Sequence, residues 1–421
     1  MKKIFVAILL LGVIFSFAGC GGKEDKKVIE FWTLQLSPTF NDYFKSLIKE
    51  FEQKNPGTVV KWIDIPFDAA IQKLMAAAAA GQTPDVVNLS SDFLAKFYGM
   101  NALIDFKTKV SEDTLAWFLE SALQNCTFEG KLIGLPWYLN TYVLIYNTEY
   151  IKQAGFDEKD LPATFDELID FSKQYTKATG KFALFWNIGK DSYLPMMLGS
   201  EDVQMTDSPF TKATFNLPRA VALIDKWIQL YKAGVMPAES IISPGSSIIE
   251  PFQSGQVAMV FTGPVFLKRV KKNAPGIYAS TGVAPAVVGK TGKHELAAMS
   301  ISVMKNSRNI DDAVRFSLFL LNAANQLKFS KIETTFPSVK EALADSYFTS
   351  DDGSLESKAK IIGARELPAA VRLQKYLLHP QFDRLRDAFD EAIQKAALGK
   401  ASTQQALDEA VEKWNKILEE N

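Results

Sequence analysis

Hydrophobic and polar positions alternate between a strand-like and a helix-like period over the first ninety residues. Short apolar runs predict buried strands at 28–33, 58–63 and 84–89. Between them, apolar residues recur at helical spacing over 40–53 and 68–80. This order predicts an α/β domain with a mostly parallel sheet. Ligands of such sheets lie beyond the carboxyl ends of the strands, so we expect a site after the first and third strands.

The remainder of the chain continues this mixture of elements. Helices are predicted around 164–176 and 217–233, and a strand at 256–261. The tail from Asp383 is predicted to be helical throughout, because its apolar residues keep an amphipathic spacing as far as Trp414. We find no internal repeat.

The N-terminus has the pattern of an export signal. Met1-Lys2-Lys3 precedes an uncharged apolar run over 4–18, which is shorter than the roughly 20 residues that span a membrane comfortably. We predict a signal peptide over 1–19. The end of this segment, Phe17-Ala18-Gly19-Cys20, resembles the bacterial lipobox, in which the cysteine is acylated. Residues 20–27 are then a lipidated linker; plain secretion with cleavage nearby is the alternative.

Composition narrows the class of protein. The length of 421 residues favours two domains, and 47 basic against 48 acidic side chains lack the positive charge of a nucleic-acid binder. Two cysteines exclude a disulfide scaffold, and two histidines argue against a multi-His metal centre. We therefore expect no metal, no cofactor and no nucleic-acid partner. The aromatic share of 12% is high and suits either a binding protein or an enzyme.

A series of short motifs, in order and over nearly the whole mature chain, resembles the extracellular solute-binding lipoproteins of ABC importers. This is family 1, which includes maltose-binding and other sugar-binding proteins. The matching segments are Phe31-Trp32, 51–57 (FEQKNPG), 81–87 (GQTPDVV), 129–136 (EGKLIGLP), Tyr146-Asn147, 255–259 (GQVAM), 262–264 (TGP), 282–285 (GVAP) and the tail 406–414.

The resemblance implies an α/β fold with two lobes of the periplasmic-binding-protein type, joined by hinge strands around an interlobe ligand cleft. The implied bounds are 28–135 with 297–335 for the N-terminal lobe and 136–296 with 336–421 for the C-terminal lobe, with hinge crossings near Pro136, Met299 and Phe336.

It also implies a function. The protein would be no enzyme: it would capture a sugar or oligosaccharide by hinge closure and deliver it to the permease subunits of an ABC transporter. We expect a monomer, exported to the periplasm or cell surface. Acylated Cys20 would anchor it to the outer face of the cytoplasmic membrane.

Sugars present hydroxyls and apolar ring faces, so short polar side chains beside aromatic planes are the candidates for contact. Asp92 follows the third strand, where sugar-binding relatives place a ligand-contacting aspartate; its alternative role is the N-cap of a helix from Phe93. Gln35 follows the first strand. Asn140 takes the place of an acidic sugar ligand in some relatives.

Aromatic candidates complete the predicted site. Trp137 and Tyr138 follow the crossing motif, although Trp137 suits a core position equally well. Many relatives carry tryptophan at the position of Val265, and Phe266 follows it, with packing as its alternative role. Five further candidates come from later segments: Trp186, Asp191, Tyr193, Phe266 and Phe382.

Two other functions stay open at this point. A polyamine-binding lipoprotein would use several carboxylates with aromatic walls, and an extracellular glycoside hydrolase would use a carboxylate pair such as Asp92 and Asp191. The histidines, His294 and His379, lie outside any catalytic motif and are expected on the surface or at caps.

Overall fold

Strands and helices alternate along the chain, as the hydrophobic pattern predicts. The computed structural model describes residues 26–207, 211–243 and 248–420. The strands in these residues are β1 (Lys27–Leu34), β2 (Thr58–Ile65), β3 (Val86–Ser90), β4 (Thr127–Phe128), β5 (Lys131–Leu132), β6 (Leu135–Asn140), β7 (Val143–Asn147), β8 (Phe182–Leu184), β9 (Val257–Thr262), β10 (Thr281–Ala284), β11 (His294–Glu295), β12 (Ala297–Val303), β13 (Phe336–Pro337) and β14 (Ala370–Val371).

The α-helices lie between these strands along the chain and after the last of them. They are α1 (Asn41–Lys54), α2 (Phe67–Ala79), α3 (Ser91–Gly99), α4 (Glu112–Leu115), α5 (Glu120–Asn125), α6 (Thr148–Gln153), α7 (Phe165–Thr179), α8 (Leu194–Ser200), α9 (Pro218–Lys232), α10 (Glu250–Gln253), α11 (Phe266–Asn273), α12 (Pro275–Ala279), α13 (Ile310–Leu320), α14 (Ala323–Ile332), α15 (Lys340–Leu343), α16 (Leu355–Glu366), α17 (Phe382–Ala397) and α18 (Thr403–Glu419).

A six-stranded sheet contains the first three strands, in the order β13-β6-β12-β3-β1-β2. β1 pairs in parallel with β2 and β3, whereas β12 runs antiparallel to β3 and β6, and β13 antiparallel to β6. The expectation of a mostly parallel sheet is therefore wrong, because strands returning from later in the chain form the other half. β3 is buried over Val86–Leu89, as suits a strand with neighbours on both edges.

A second, four-stranded sheet has the order β10-β7-β9-β8. β7 pairs antiparallel with β10 and β9, and β8 pairs in parallel with β9. β9 is buried along its whole length. Helix α7 packs on β8 and on α9, and α9 in turn packs on α17 and α18, so the C-terminal helices belong to the side of the second sheet.

Aromatic side chains form much of both interiors. Beside the six-stranded sheet, Phe31 contacts the rings of Phe44 and Phe316 at centroid distances of 5.8 and 5.2 Å. Beside the four-stranded sheet, Trp186 stacks on Trp227 with centroids 4.9 Å apart. These contacts account for a large part of the high aromatic content as core packing.

The tail is two helices rather than one, so the prediction of continuous helix from Asp383 is wrong. Gly399 has a φ of 71°, a left-handed conformation that ends α17. Ser402 then accepts a hydrogen bond from the Gln405 amide in a capping box that begins α18. The break lets α18 fold back along α17 and bury Trp414.

The predicted hinge residues Pro136, Met299 and Phe336 lie in β6, β12 and β13, three neighbouring strands of the six-stranded sheet. The lobe bounds stay a prediction. The signal peptide and Cys20 lie outside the described residues. Within the described part of the chain, no helix is both long and apolar enough to cross a membrane.

Candidate functional site

The carboxyl ends of β1, β2 and β3 bring three chain segments to one edge of the six-stranded sheet. Gln35, which follows β1, is exposed and accepts a hydrogen bond through Oε1 from the Phe67 amide at 3.4 Å. Phe67, which follows β2, is 39% exposed, and its ring stacks on Phe93 of α3. An exposed aromatic face at this edge was not predicted from the sequence.

A surface pocket of about 570 Å³ lies beside Gln35, with Trp62 and Asp64 in its wall. The Asp64 carboxylate accepts hydrogen bonds from the Thr33 hydroxyl at 2.6 Å and from the amides of Leu36 and Ser37 at 3.0 Å each. These partners occupy much of its acceptor capacity, so we assign Asp64 to holding the segment after β1 in place.

Asp92 lies at the same edge, in the first turn of α3. The helix begins at Ser91 and Ser90 is its N-cap residue, so the alternative role of Asp92 as N-cap is wrong. Burial raises the pKa of the Asp92 carboxyl; the charges of Arg386 and Lys96 oppose the shift, and that of Asp383 adds to it. Two of these three neighbours belong to α17, on the side of the other sheet.

Asp92 and the charged side chains near it form a group that we call the charged cluster. Lys96 of α3 pairs with Asp383 of α17, and Asp383 Oδ1 lies 3.4 Å from Arg386 Nη2. Arg386 Nε lies 3.5 Å from Asp191 Oδ1, in the segment before α8. The charged cluster therefore links three separate elements, and its members are Asp92, Lys96, Asp191, Asp383 and Arg386.

Asp390 of α17 holds the segment that carries Asp191. Its carboxylate accepts hydrogen bonds from the amides of Asp191 at 2.8 Å and Ser192 at 3.4 Å. Tyr193 follows, with its ring edge-on to Trp186 at 5.6 Å and to Tyr142 at 6.5 Å. Burial first, and then the charge of Asp191, raises the pKa of Tyr193 to about 12, so the phenol stays protonated and can donate a hydrogen bond.

Further buried groups adjoin the charged cluster. Burial raises the pKa of Tyr376, to which the charges of Asp390, Glu295 and Asp92 contribute. Burial also raises the pKa of Glu295 to about 7, against the effects of the Leu373 amide and Arg372. Perturbed carboxyls gathered around a tyrosine are typical of functional sites.

The sequence prediction missed Asp383, Arg386, Asp390, Tyr376 and Glu295. A signal was present for Asp390, because it adjoins Phe389 and Ile393 on the buried face of α17. A carboxylate within an apolar helical stripe is unusual and needs a polar partner. For Tyr376 and Glu295 we find no signal in the sequence alone.

Asp390→Asn is expected to alter the pH dependence of stability. Burial raises the pKa of Asp390 to about 7, above its ordinary value, so the folded protein retains this proton as the pH rises while the unfolded chain releases it. Wild-type protein therefore loses stability through this group between about pH 4 and pH 7. Relative to wild type, the free energy of unfolding of the variant should rise by about 2 kcal/mol from pH 5 to pH 8.

Equilibrium unfolding in urea at several pH values measures this difference. Asp387→Asn, an exposed neighbour on the same helix, serves as the control. A constant difference between Asp390→Asn and wild type across this range would contradict the assignment.

Of the predicted aromatic residues, several lie in the interior. Trp137 is 0% exposed and packs against Phe31 and Phe329, so its placement favours the core alternative. Trp186 is likewise 0% exposed. Tyr138 stacks on Phe329 at 5.0 Å, and burial raises its pKa.

Of the remaining predicted residues, some pack against the core and one lies beside the charged cluster. Asn140 ends β6 and packs directly against Gly263, where an added Cβ would meet its amide nitrogen at 2.4 Å. Phe266 is half-buried at the start of α11, against a second apolar cluster. Phe382 is buried, but its ring lies 5.5 Å from Lys96 Nζ and 5.8 Å from Arg386 Cζ, beside the charged cluster.

The two histidines are buried, so the expectation of surface positions is wrong, whereas the cap alternative is confirmed for His379, the C-cap residue of a short 3₁₀ helix over Lys375–Leu378. His294 lies within hydrogen-bond distance of the Thr141 hydroxyl at 3.2 Å and of the Glu366 carbonyl at 3.1 Å. His379 Nδ1 accepts a hydrogen bond from the Gln381 amide at 3.2 Å, just before α17. Among the residues with assigned positions, no group of three or more His, Cys, Asp or Glu side chains is arranged to hold a metal ion.

The protein has two sheets, and polar side chains from the side of each sheet meet at the strand ends. This arrangement is that of a two-lobed binding protein. Comparison with known proteins gives the family. The sequence model of the bacterial extracellular solute-binding proteins matches residues 37–327, so the chain belongs to that family.

Individual relatives agree in length and fold. A galactooligosaccharide-binding protein of Bacillus subtilis (strain 168) is 27% identical over 98% of this chain and 96% of its own length. A candidate oligosaccharide periplasmic-binding protein from Synechococcus sp. MITs9220 superimposes with a TM-score of 0.85 at 29% identity, covering 93% of this chain and 99% of that one. A cyclic α-maltosyl-1,6-maltose binding protein from Arthrobacter globiformis shares the fold, with a TM-score of 0.78 at 20% identity over 94% of this chain and 100% of that one.

Proposed function

We propose that this protein captures a sugar or oligosaccharide between its lobes and delivers it to the permease subunits of an ABC importer. The proposal rests on one observation, which is that carboxylates and aromatic rings lie close together around the charged cluster. Carboxylates accept hydrogen bonds from hydroxyls, and rings cover the apolar faces of sugars. The proposed contacts are Asp92, Asp191, Tyr193 and Arg386, with Phe67 and Gln35 at the outer edge, whereas Tyr376 and Phe382 are buried beside the charged cluster.

Two of the relatives support the same ligand class. The Bacillus protein is named for galactooligosaccharides and the Synechococcus protein for oligosaccharides, and both match nearly the whole chain. The ligand of this chain, on that basis, is a neutral carbohydrate.

Hinge closure is the proposed mechanism. We assign 28–135 with 297–335 to one lobe and 136–296 with 336–421 to the other. On these bounds, Asp92 and Lys96 belong to the first lobe, whereas Asp191 and Arg386 belong to the second. A solute that contacts both sets stabilises the closed arrangement over the open one, and the permease reads that difference.

The family and the apolar N-terminal sequence support a setting outside the cell. We propose that acylated Cys20 anchors a monomeric protein at the outer face of the cytoplasmic membrane, and that the protein performs no hydrolysis. Two acyl chains hold a protein at a membrane far more firmly than one chain, which binds only marginally.

A thermal-shift screen against neutral oligosaccharides and polyamines tests the function. A ligand at 100 times its Kd stabilises the folded state by about 2.7 kcal/mol, which gives a clear rise in melting temperature. We expect such a rise with at least one neutral oligosaccharide and none with spermidine. A rise with polyamines alone would contradict the proposal, and chromatographic detection of cleaved sugar after incubation would replace it with the hydrolase function.

A further inference from the structure

Arg386, a member of the charged cluster, has an incomplete set of hydrogen-bond partners. Its side chain is 31% exposed, but the Nε atom is shielded from solvent and has no hydrogen-bond acceptor among the described residues. Its Nη2 atom donates a hydrogen bond to Asp383 Oδ1 at 3.4 Å, whereas its Nε atom forms only an ion pair with Asp191 Oδ1 at 3.5 Å. Both are longer than the 2.7–2.9 Å typical of a charge-assisted hydrogen bond.

A shielded guanidinium N–H without an acceptor is unfavourable, because the lost hydration is not replaced. The carboxylate of Asp92, in the same cluster, accepts hydrogen bonds but cannot donate them when it is ionised. A hydroxyl group can accept from Arg386 and donate to a carboxylate at the same time. An ammonium group can only donate, and a phosphate brings negative charge towards the carboxylates.

We propose that Arg386 is a specificity-determining residue of this site, which selects neutral polyhydroxylated solutes and excludes cationic ones. The inference rests on the proposed function and adds that the site distinguishes solutes by their charge. A protonated polyamine has no acceptor for the Arg386 Nε–H group, and the ammonium groups of a polyamine or an amino sugar place a like charge beside the guanidinium. The polyamine alternative is therefore disfavoured by Arg386 itself, despite the surrounding carboxylates.

The position of Arg386 on α17 provides a matched control. Arg384, two residues earlier, faces solvent on the same helix and pairs with Glu420 at the end of α18. Arg384→Gln removes the same charge from the same helix without touching the charged cluster. Arg386→Lys keeps the charge but removes the planar fork of donors.

The test measures binding of four probes to the full-length protein by isothermal titration calorimetry. Galactotriose, maltotriose and triacetylchitotriose are neutral, and chitotriose is the free-amine counterpart of the last. Wild-type protein should bind a neutral trisaccharide and discriminate against chitotriose. Arg386→Gln should weaken neutral binding about 10- to 100-fold and reduce the discrimination between the two chitotriose forms. Arg386→Lys should weaken neutral binding while keeping the discrimination, and Arg384→Gln should match wild type.

The outcomes separate the inference from the proposed function. If wild-type protein binds a neutral trisaccharide and Arg386→Gln binds it equally well, the specificity rule is overturned and the sugar function stands. If wild-type protein prefers chitotriose, or binds none of the four, the rule is overturned as well, and absence of all binding also removes support for the function. Thermal unfolding of the unliganded variants checks folding, and a folded Arg386→Lys variant suffices if Arg386→Gln is unstable.

Discussion

Replacing Asp92 by alanine is expected to weaken oligosaccharide binding by about 100-fold. Asp92 lies beyond the carboxyl end of β3 and faces the charged side chains of α17, so it is placed to accept hydrogen bonds from a solute held between the lobes. A hydrogen bond to a charged group contributes about 1.5–3 kcal/mol, and each 1.4 kcal/mol is a tenfold change in Kd. Calorimetric titration with the sugar identified in the thermal screen measures the effect.

Asp42→Ala is the matched control for this variant. Asp42 holds the same position in the first turn of α1 that Asp92 holds in α3, but it is exposed. Its loss should leave binding within twofold of wild type. Equal binding by Asp92→Ala and Asp42→Ala would remove Asp92 from the site.

Trp186→Ala should lower the free energy of unfolding of the unliganded protein by about 3–5 kcal/mol. Its indole is fully buried, stacked on Trp227 at 4.9 Å and on Phe261 at 5.6 Å. Truncation of a large buried aromatic side chain removes these contacts and leaves a cavity that the surroundings fill only in part. Urea unfolding of the ligand-free protein, followed by circular dichroism, measures the loss.

Trp117→Ala supplies the comparison for an exposed indole. Trp117 is 44% exposed, so its removal should cost less than about 1 kcal/mol. If Trp186→Ala kept wild-type stability but lost sugar binding, the indole would be a ligand platform, as the sequence suggested, rather than a core residue.

The positions that follow strands could be predicted because they depend on local patterns. The alternation of apolar runs placed β1, α1, β2, α2 and β3 within a few residues, since each element shows its own period in the sequence. The general rule for ligands at strand ends then directed attention to Asp92 and Gln35, and both lie at that edge of the sheet.

Aromatic positions show why burial could not be predicted in the same way. Trp137 and Trp186 stand in segments rich in polar and aromatic residues, which is equally consistent with a ligand platform and with a core. Whether an indole faces solvent depends on what packs over it, and Phe329 and Trp227 come from distant parts of the chain. No single-sequence pattern specifies those contacts.

The charged residues of α17 were missed for the same reason. Asp383 and Arg386 look like ordinary surface charges of an amphipathic helix, because their helical spacing is regular. Their importance comes from the meeting of α17 with α3 and with the segment around Asp191, which are separated from it by about two hundred residues or more along the chain. The tail prediction failed for a related reason: Gly399 permits a sharp reversal that helical periodicity on either side conceals.

A crystal structure of the protein with a bound neutral oligosaccharide would show where the ligand lies. We expect sugar hydroxyls within hydrogen-bond distance of Asp92 and Arg386, and a sugar ring face against Tyr193 or Phe67. A sugar bound only in the pocket beside Trp62 and Asp64, or away from the strand ends altogether, would contradict this expectation.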